Sequence, residues 1–189
     1  MPDTQQGLRT ALEHMGLLRP GEAYSAETLA GGVSSDILRI DLPDRSPRLS
    51  FCFKRALAKL KVAADWRAPV ERNHAEVEWL RVADALVPGS VPRILGEDAQ
   101  AGAFAMEYLE PAAHPVWKNA LRDGDIQTET AAAVARVIAA IHAGTACRPE
   151  IAQRFANDHI FQPIRLEPYL LATAARHPDC AARLHEIAA

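Results

Sequence analysis

The sequence predicts an α+β chain: a five-stranded antiparallel sheet with one inserted helix, followed by a mainly helical part. Three observations carry that prediction. Asp36–Leu42 alternates apolar and polar residues over its second half, and Leu49–Lys54 is a short strand-forming run, the signals of half-buried strands. Two further short apolar runs, 91–96 and 103–109, are separated by turn residues. From Thr128 onward the apolar residues recur at helical spacing in an alanine-rich background.

With 189 residues the chain can form one domain or two small lobes, burying roughly 70% of its unfolded surface. An apolar fraction of 49% and a charged fraction of 24% are those of an ordinary globular protein. The net charge of −3 and the lack of a basic stripe with interleaved aromatics give no case for nucleic acid. Cys52, Cys147 and Cys180 are odd in number and widely spaced, which indicates neither a disulfide framework nor a zinc pattern and fits a reducing, cytoplasmic setting. The polar start, Met1 to Gln6, lacks a signal peptide's basic and apolar regions. The most apolar stretch, Ala131 to Ala143, is interrupted by Arg136 and too short to span a bilayer, so no membrane partner is expected.

Residues 4–16 carry Leu8, Leu12 and Met15 on one helical face, with Gly16 as the stop. Tyr24–Leu29 reads as a first strand entering the turn Ala30-Gly31-Gly32-Val33-Ser34-Ser35. A glycine pair followed by serines leaves backbone N–H groups open to an anion, because no Cβ blocks the approach. By itself such a turn is more often the tip of a plain hairpin. Asp36–Leu42 is the antiparallel partner and Leu49–Lys54 the third strand. Lys54 alternates with Cys52 on the face opposite Phe51 and Phe53, which in a meander lies under the glycine turn. Arg55, Lys59 and Lys61 read as solvated edge charges.

Pro69 suits a first helical turn, so a helix is expected over 69–86, with Val70, Val77, Leu80 and Ala83 or Asp84 as its packed stripe. Glu76 and Glu78 both lie near Lys54 in this order of elements, but helical rotation sets them roughly 200° apart. Glu76 lies nearer in angle to Leu80 and Ala83 and is the expected lysine partner, leaving Glu78 to solvent. Strands follow at 91–96 and 103–109, joined by a turn at 98–102, and Glu110-Pro111 ends the last one. Helices are expected at 117–121, 128–143, 149–156, 160–175 and 178–187. Val134, Val137, Ile138 and Ile141 form the buried face of the second of these, on which His142 reads as a packed or capping residue rather than a catalyst.

A glycine-rich turn, a strand lysine and a helix glutamate, in that order, are the phosphate-holding parts of a kinase. Leu29–Ser35, Lys54, Ala75-Glu76-Val77-Glu78-Trp79-Leu80, Val91–Gly96 and Met106-Glu107-Tyr108-Leu109 together resemble the aminoglycoside phosphotransferase family, whose broad group includes choline and methylthioribose kinases. The resemblance covers about residues 25–145. It implies a protein kinase-like fold, with residues 1–109 as a nucleotide-binding N-lobe and residues 110–189 as a hinge and an incomplete helical C-lobe. ATP would lie between the lobes with Mg²⁺, its phosphates at Gly31, Gly32, Ser34, Ser35 and Lys54, the last held by Glu76. Adenine would meet the backbone of Glu107 and Leu109, with Met106 at the back of the pocket.

The implied activity is ATP-dependent phosphoryl transfer to the hydroxyl of a small-molecule acceptor. The family takes its catalytic and metal-holding residues from His-Gly-Asp-x-x-x-x-Asn and a later aspartate. Here His177-Pro178-Asp179 starts similarly, but Leu184 stands where the asparagine should be, so no catalytic residue or metal ligand is assigned. The expectation is a chain truncated before the catalytic loop, inactive alone, with self-association through the incomplete helical part. The alternative is a non-catalytic nucleotide-binding or interaction module.

Overall fold

The computed structural model describes residues 2–30 and 32–189. Among them the chain is α+β, with one five-stranded antiparallel sheet and several helices. The first helix, α1 (Pro2–His14), is followed by Gly16 at φ 70°, a left-handed turn suited to glycine. The strands are β1 (Ser25–Thr28), β2 (Ser35–Leu42), β3 (Leu49–Ala56), β4 (Ile94–Asp98) and β5 (Ala103–Glu107), in the sheet order β1-β2-β3-β5-β4. The helix α2 (Arg72–Leu86) is inserted between β3 and β4.

The register divides the sheet into two faces. Leu38 stands opposite Phe53 and Ile40 opposite Phe51; these residues, with Leu42, Ala103 and Ala105, pack on Leu8, Ala11 and Leu12 of α1. Met15 packs against the same cluster, as its place on the Leu8–Leu12 stripe predicts. On the other face Cys52 pairs with Met106 and Lys54 with Phe104. Val77 and Leu80 of α2 cover Phe104 there, with Ile94 and Met106 around them. The alternation of Phe51 and Phe53 against Cys52 and Lys54 therefore separates two cores, one under each helix.

Several boundaries differ from expectation. The inserted helix starts at Arg72, not Pro69, and Val70 is 38% exposed rather than part of the stripe, which is Asn73, Val77, Leu80 and Ala83. Residues 57–71 instead form a loop closed by a bridge between Lys59 and Arg67. Tyr24 and Leu29 lie outside β1, Asp98 belongs to β4 rather than to the turn, and β5 ends at Glu107 instead of Leu109. The β4 edge is offset because its pairing with β5 shifts between Ile94 and Gly96.

The remaining elements are α3 (Trp117–Arg122), α4 (Thr128–Thr145), α5 (Pro149–Arg154), α6 (Asp158–Phe161), α7 (Ala172–Arg176) and α8 (Ala181–Ala188). A π-helical stretch, Gln162–Leu171, joins α6 to α7. The expected plain helix over 160–175 is thus widened around Pro168, where a proline ring would collide with the carbonyl of a tight α turn. The expected helix over 178–187 begins at Ala181. The buried face expected for α4 is only half covered: Val134, Val137 and Ile141 are half-buried and Ile138 is exposed. Among the described residues no helix is long and apolar enough to cross a membrane.

Candidate functional site

The side of the sheet facing α2 brings together Lys54, Glu76 and Met106 of the residues that the sequence singles out. Lys54, near the end of β3, directs its ammonium at Glu76 on the second turn of α2. Its Nζ donates to both carboxylate oxygens, at 2.5 and 2.7 Å. Lys54 is 18% and Glu76 38% exposed at the side chain, so the pair is half-sheltered at the rim of an open face. The Lys54 ammonium also lies 5.9 Å from the centre of the Phe104 ring. Cys52, one alternation earlier, is buried; burial pushes its thiol upward, with the Lys54 charge acting against that rise.

Glu78 is not the solvated charge that its angle suggested. It is 21% exposed and pairs with Arg81 at 2.7 Å and with Arg154 of α5 at 3.7 Å. The Arg81 hydrogen bond holds its carboxyl below the ordinary value. Helical angle separated the two glutamates correctly, but it took no account of a second surface arriving from α5.

Gly31 lies outside the described residues. At Gly32 a Cβ would meet nothing within 4 Å, so the approach to that backbone is open. Ser34 is half-buried, whereas Ser35 is the first residue of β2, opposite Ala56, and is buried. The lower part of the turn is tied to the 57–71 loop: the Leu57 N–H donates to Ser34 O at 3.0 Å and the Lys61 N–H to Val33 O at 2.8 Å. Asp36, just beyond, accepts from Arg55 at 3.2 Å and pairs with Lys61 at 2.8 Å. Burial works against the Asp36 carboxylate, yet these two cations hold its pKa below the ordinary value. Arg55 and Lys61 are therefore ion-paired beside the turn rather than merely solvated, and Lys59 pairs with Asp65 at 3.2 Å.

At the other end of the same face, Met106 is half-buried against the α2 core. Glu107 is exposed and closes β5, its N–H donating to Arg93 O at 2.9 Å, and Leu109 follows outside the strand at 37% exposure. Arg39, opposite Cys52 on β2, stacks 4.6 Å from the Tyr108 ring centre and reaches Asp41 at 3.2 Å and Glu110 at 3.7 Å. Lys54, Met106, Cys52 and Arg39 thus share one face of the sheet, and Glu76 of α2 reaches Lys54 across it.

Sequence reasoning missed two residues that hold this arrangement. Asn73, buried on the first turn of α2, donates to Gly102 O at 2.5 Å and to Lys54 O at 3.4 Å. Arg72 donates through one terminal nitrogen to Ala68 O at 3.1 Å and Pro69 O at 2.6 Å. Its other terminal nitrogen donates to Ser34 O at 2.5 Å and Leu57 O at 2.8 Å. Desolvation lowers the Arg72 pKa, with Glu76 and Glu71 opposing it. A signal existed: a cation in the first turn of a helix opposes the macrodipole, so an arginine there asks for acceptors elsewhere.

Among the described residues no group of three or more His, Cys, Asp or Glu side chains comes together to hold a metal ion. No family model matches the chain, and a search of the curated proteins returns no match.

Proposed function

We propose that residues 1–109 are the nucleotide-holding lobe of a protein kinase-like fold, and that the chain serves ATP-dependent phosphoryl transfer to a small-molecule hydroxyl. It would belong with the aminoglycoside phosphotransferase group. The observation that carries this reading is the half-sheltered Lys54–Glu76 pair at the rim of the sheet face that α2 covers. The two bonds to Glu76 hold the ammonium at the rim of this face, where polyphosphate charge would be met. At Gly32 no neighbour stands within 4 Å of where a Cβ would lie, and its backbone N–H would add a donor for phosphate. Met106 offers an apolar surface for a base, and Glu107 and Leu109 offer backbone groups at its edge. The nucleotide supplies the transferable phosphoryl group; Lys54, Glu76 and the turn orient it and offset its charge.

A second reading, a non-catalytic nucleotide-binding module, is favoured by Leu184 at the position where the family motif requires asparagine. One experiment tests both. ATP binding is measured on wild type and Lys54→Ala, and ADP release is followed with choline, methylthioribose and aminoglycoside acceptors. Binding is expected, weakened by about tenfold in Lys54→Ala, equivalent to ~1.4 kcal/mol. Binding without release is the outcome expected of this chain under either reading, since no catalytic residue is assigned in it; acceptor-dependent ADP release that Lys54→Ala abolishes would assign catalysis to the chain and overturn the module. Wild type that binds no ATP overturns both.

A further inference from the structure

Arg72 lies one helical turn before Glu76, and its guanidinium gathers four backbone carbonyls from three separate segments. Ser34 belongs to the glycine-containing turn, Leu57 to the exit of β3, and Ala68 and Pro69 to the approach to α2. The adjacent Asn73 fixes the same helical turn to β3 and β5 through Lys54 O and Gly102 O. The first two turns of α2 therefore hold the lysine's backbone, the lysine's ammonium and the floor of the turn. We propose that Arg72 is a positioning residue that locks the glycine-containing turn to α2, so that the turn and the Lys54–Glu76 pair are seated as one unit for polyphosphate. This rests on the nucleotide reading above and adds to it a specific device for reading phosphates rather than the base.

An arginine presents its donors as a rigid planar fork, and here each terminal nitrogen meets two carbonyls on a different side. A lysine has a single nitrogen and cannot span the same two pairs. The Ser34 carbonyl that Arg72 grips also accepts from the Leu57 N–H, so losing the guanidinium leaves the main-chain bonds at Ser34 and Val33 to tie the turn to the 57–71 loop. The turn then moves independently of Glu76, and the phosphate site loses its shape while the base surface at Met106 keeps its own.

The test compares wild type, Arg72→Lys and Arg72→Gln by amide hydrogen exchange and by titration with ATP and with adenosine. The Leu57 and Lys61 amides are expected to exchange at least about tenfold faster in both variants, while β3 amides such as Phe53 stay protected. ATP affinity is expected to fall about tenfold with adenosine affinity unchanged, because only the phosphate contacts depend on the fork. A role confined to general stability would weaken ATP and adenosine alike and would overturn the proposal. So would unchanged exchange at Leu57 and Lys61 in folded Arg72→Lys protein. If wild type binds neither ligand, the phosphate role falls with the nucleotide reading itself, whereas intact wild-type ATP binding with no effect of either variant removes Arg72 alone.

Discussion

In residues 2–107 the sheet is covered on both faces, and Leu12, Ile40, Leu42, Phe51, Phe53, Val77 and Phe104 are fully buried. Among the described residues of 117–188, the buried apolar side chains are Ile160 and Ala174, while Ile126, Ile138, Phe161, Tyr169 and Ile187 remain exposed. The helical region touches the sheet region through specific points instead of a broad core. Trp66 donates from its indole to Pro163 O at 2.8 Å and meets Tyr169 edge-on at 6.2 Å, Arg154 reaches Glu78, and Gly144 lets α4 close on Leu86. Burial on this scale makes the first region the seat of stability, and point contacts make the second responsive to single substitutions at its docking residues.

The largest contrast is expected between matched deletions in the two regions. Phe51→Ala removes a fully buried ring from the α1-facing core, which should cost about 3–5 kcal/mol. Ile138→Ala trims an exposed side chain on α4 and should change stability by less than about 0.5 kcal/mol. Urea unfolding followed by tryptophan fluorescence reads both, and losses of similar size would erase the distinction between the regions.

Two glycines sharpen it. At Gly96 of β4 an added Cβ would stand 2.8 Å from Met15 Cβ, an atom that cannot rotate away, and Gly96→Ala is expected to cost about 1–3 kcal/mol. At Gly144 of α4 the nearest atom is Leu86 Cδ2 at 2.6 Å, the tip of a flexible side chain. Leu86 can turn aside, and alanine in a helix gains about 1 kcal/mol over glycine. Gly144→Ala should therefore leave the melting temperature nearly unchanged while Gly96→Ala lowers it; the opposite ranking would place the tighter packing in the helical region.

The smallest effect is expected at acid pH, in the loop that closes the first region. Glu22 accepts from Arg45 at 2.7 and 2.8 Å, and Arg45 also donates to Leu17 O at 2.9 Å. The Arg45 hydrogen bond, joined by the Arg19 backbone N–H, lowers the Glu22 pKa from 4.5 to about 2. A folded-state value below the unfolded one means that the contribution is complete above 4.5 and fades as pH falls toward 2. Glu22→Gln should flatten this part of the stability–pH curve and leave the curve above pH 5 parallel to wild type. A wild-type profile with no dependence in that window would show that the pair adds nothing to the first region.

Much of the sheet region was legible because its signals are local. Alternation over 36–42 and at Phe51–Lys54 assigns each side chain to a face, and any register of even offset preserves that assignment. Leu8, Leu12 and Met15 mark a helical stripe for the same reason, and the Glu76 angle follows from helix geometry alone. The start of α2 was not legible, because Pro69 satisfies a first helical turn as well as it satisfies the loop that the chain adopts. Nor was the half-covered face of α4, whose periodicity marks an apolar stripe without showing how much of it a neighbour will cover.

The order and type of the elements up to β5, the face on which Lys54 stands and the choice of Glu76 over Glu78 as its partner are determined by the sequence, since each depends on periods of two or 3.6 residues along one segment. Tertiary structure alone decided the rest. The sheet order that puts β5 beside β3, the separate cores under α1 and α2, the pairing of Glu78 with Arg154 and the grip of Arg72 on Ser34 and Leu57 all join residues far apart in the chain. Such contacts depend on where whole elements come to rest, and no local period encodes that position.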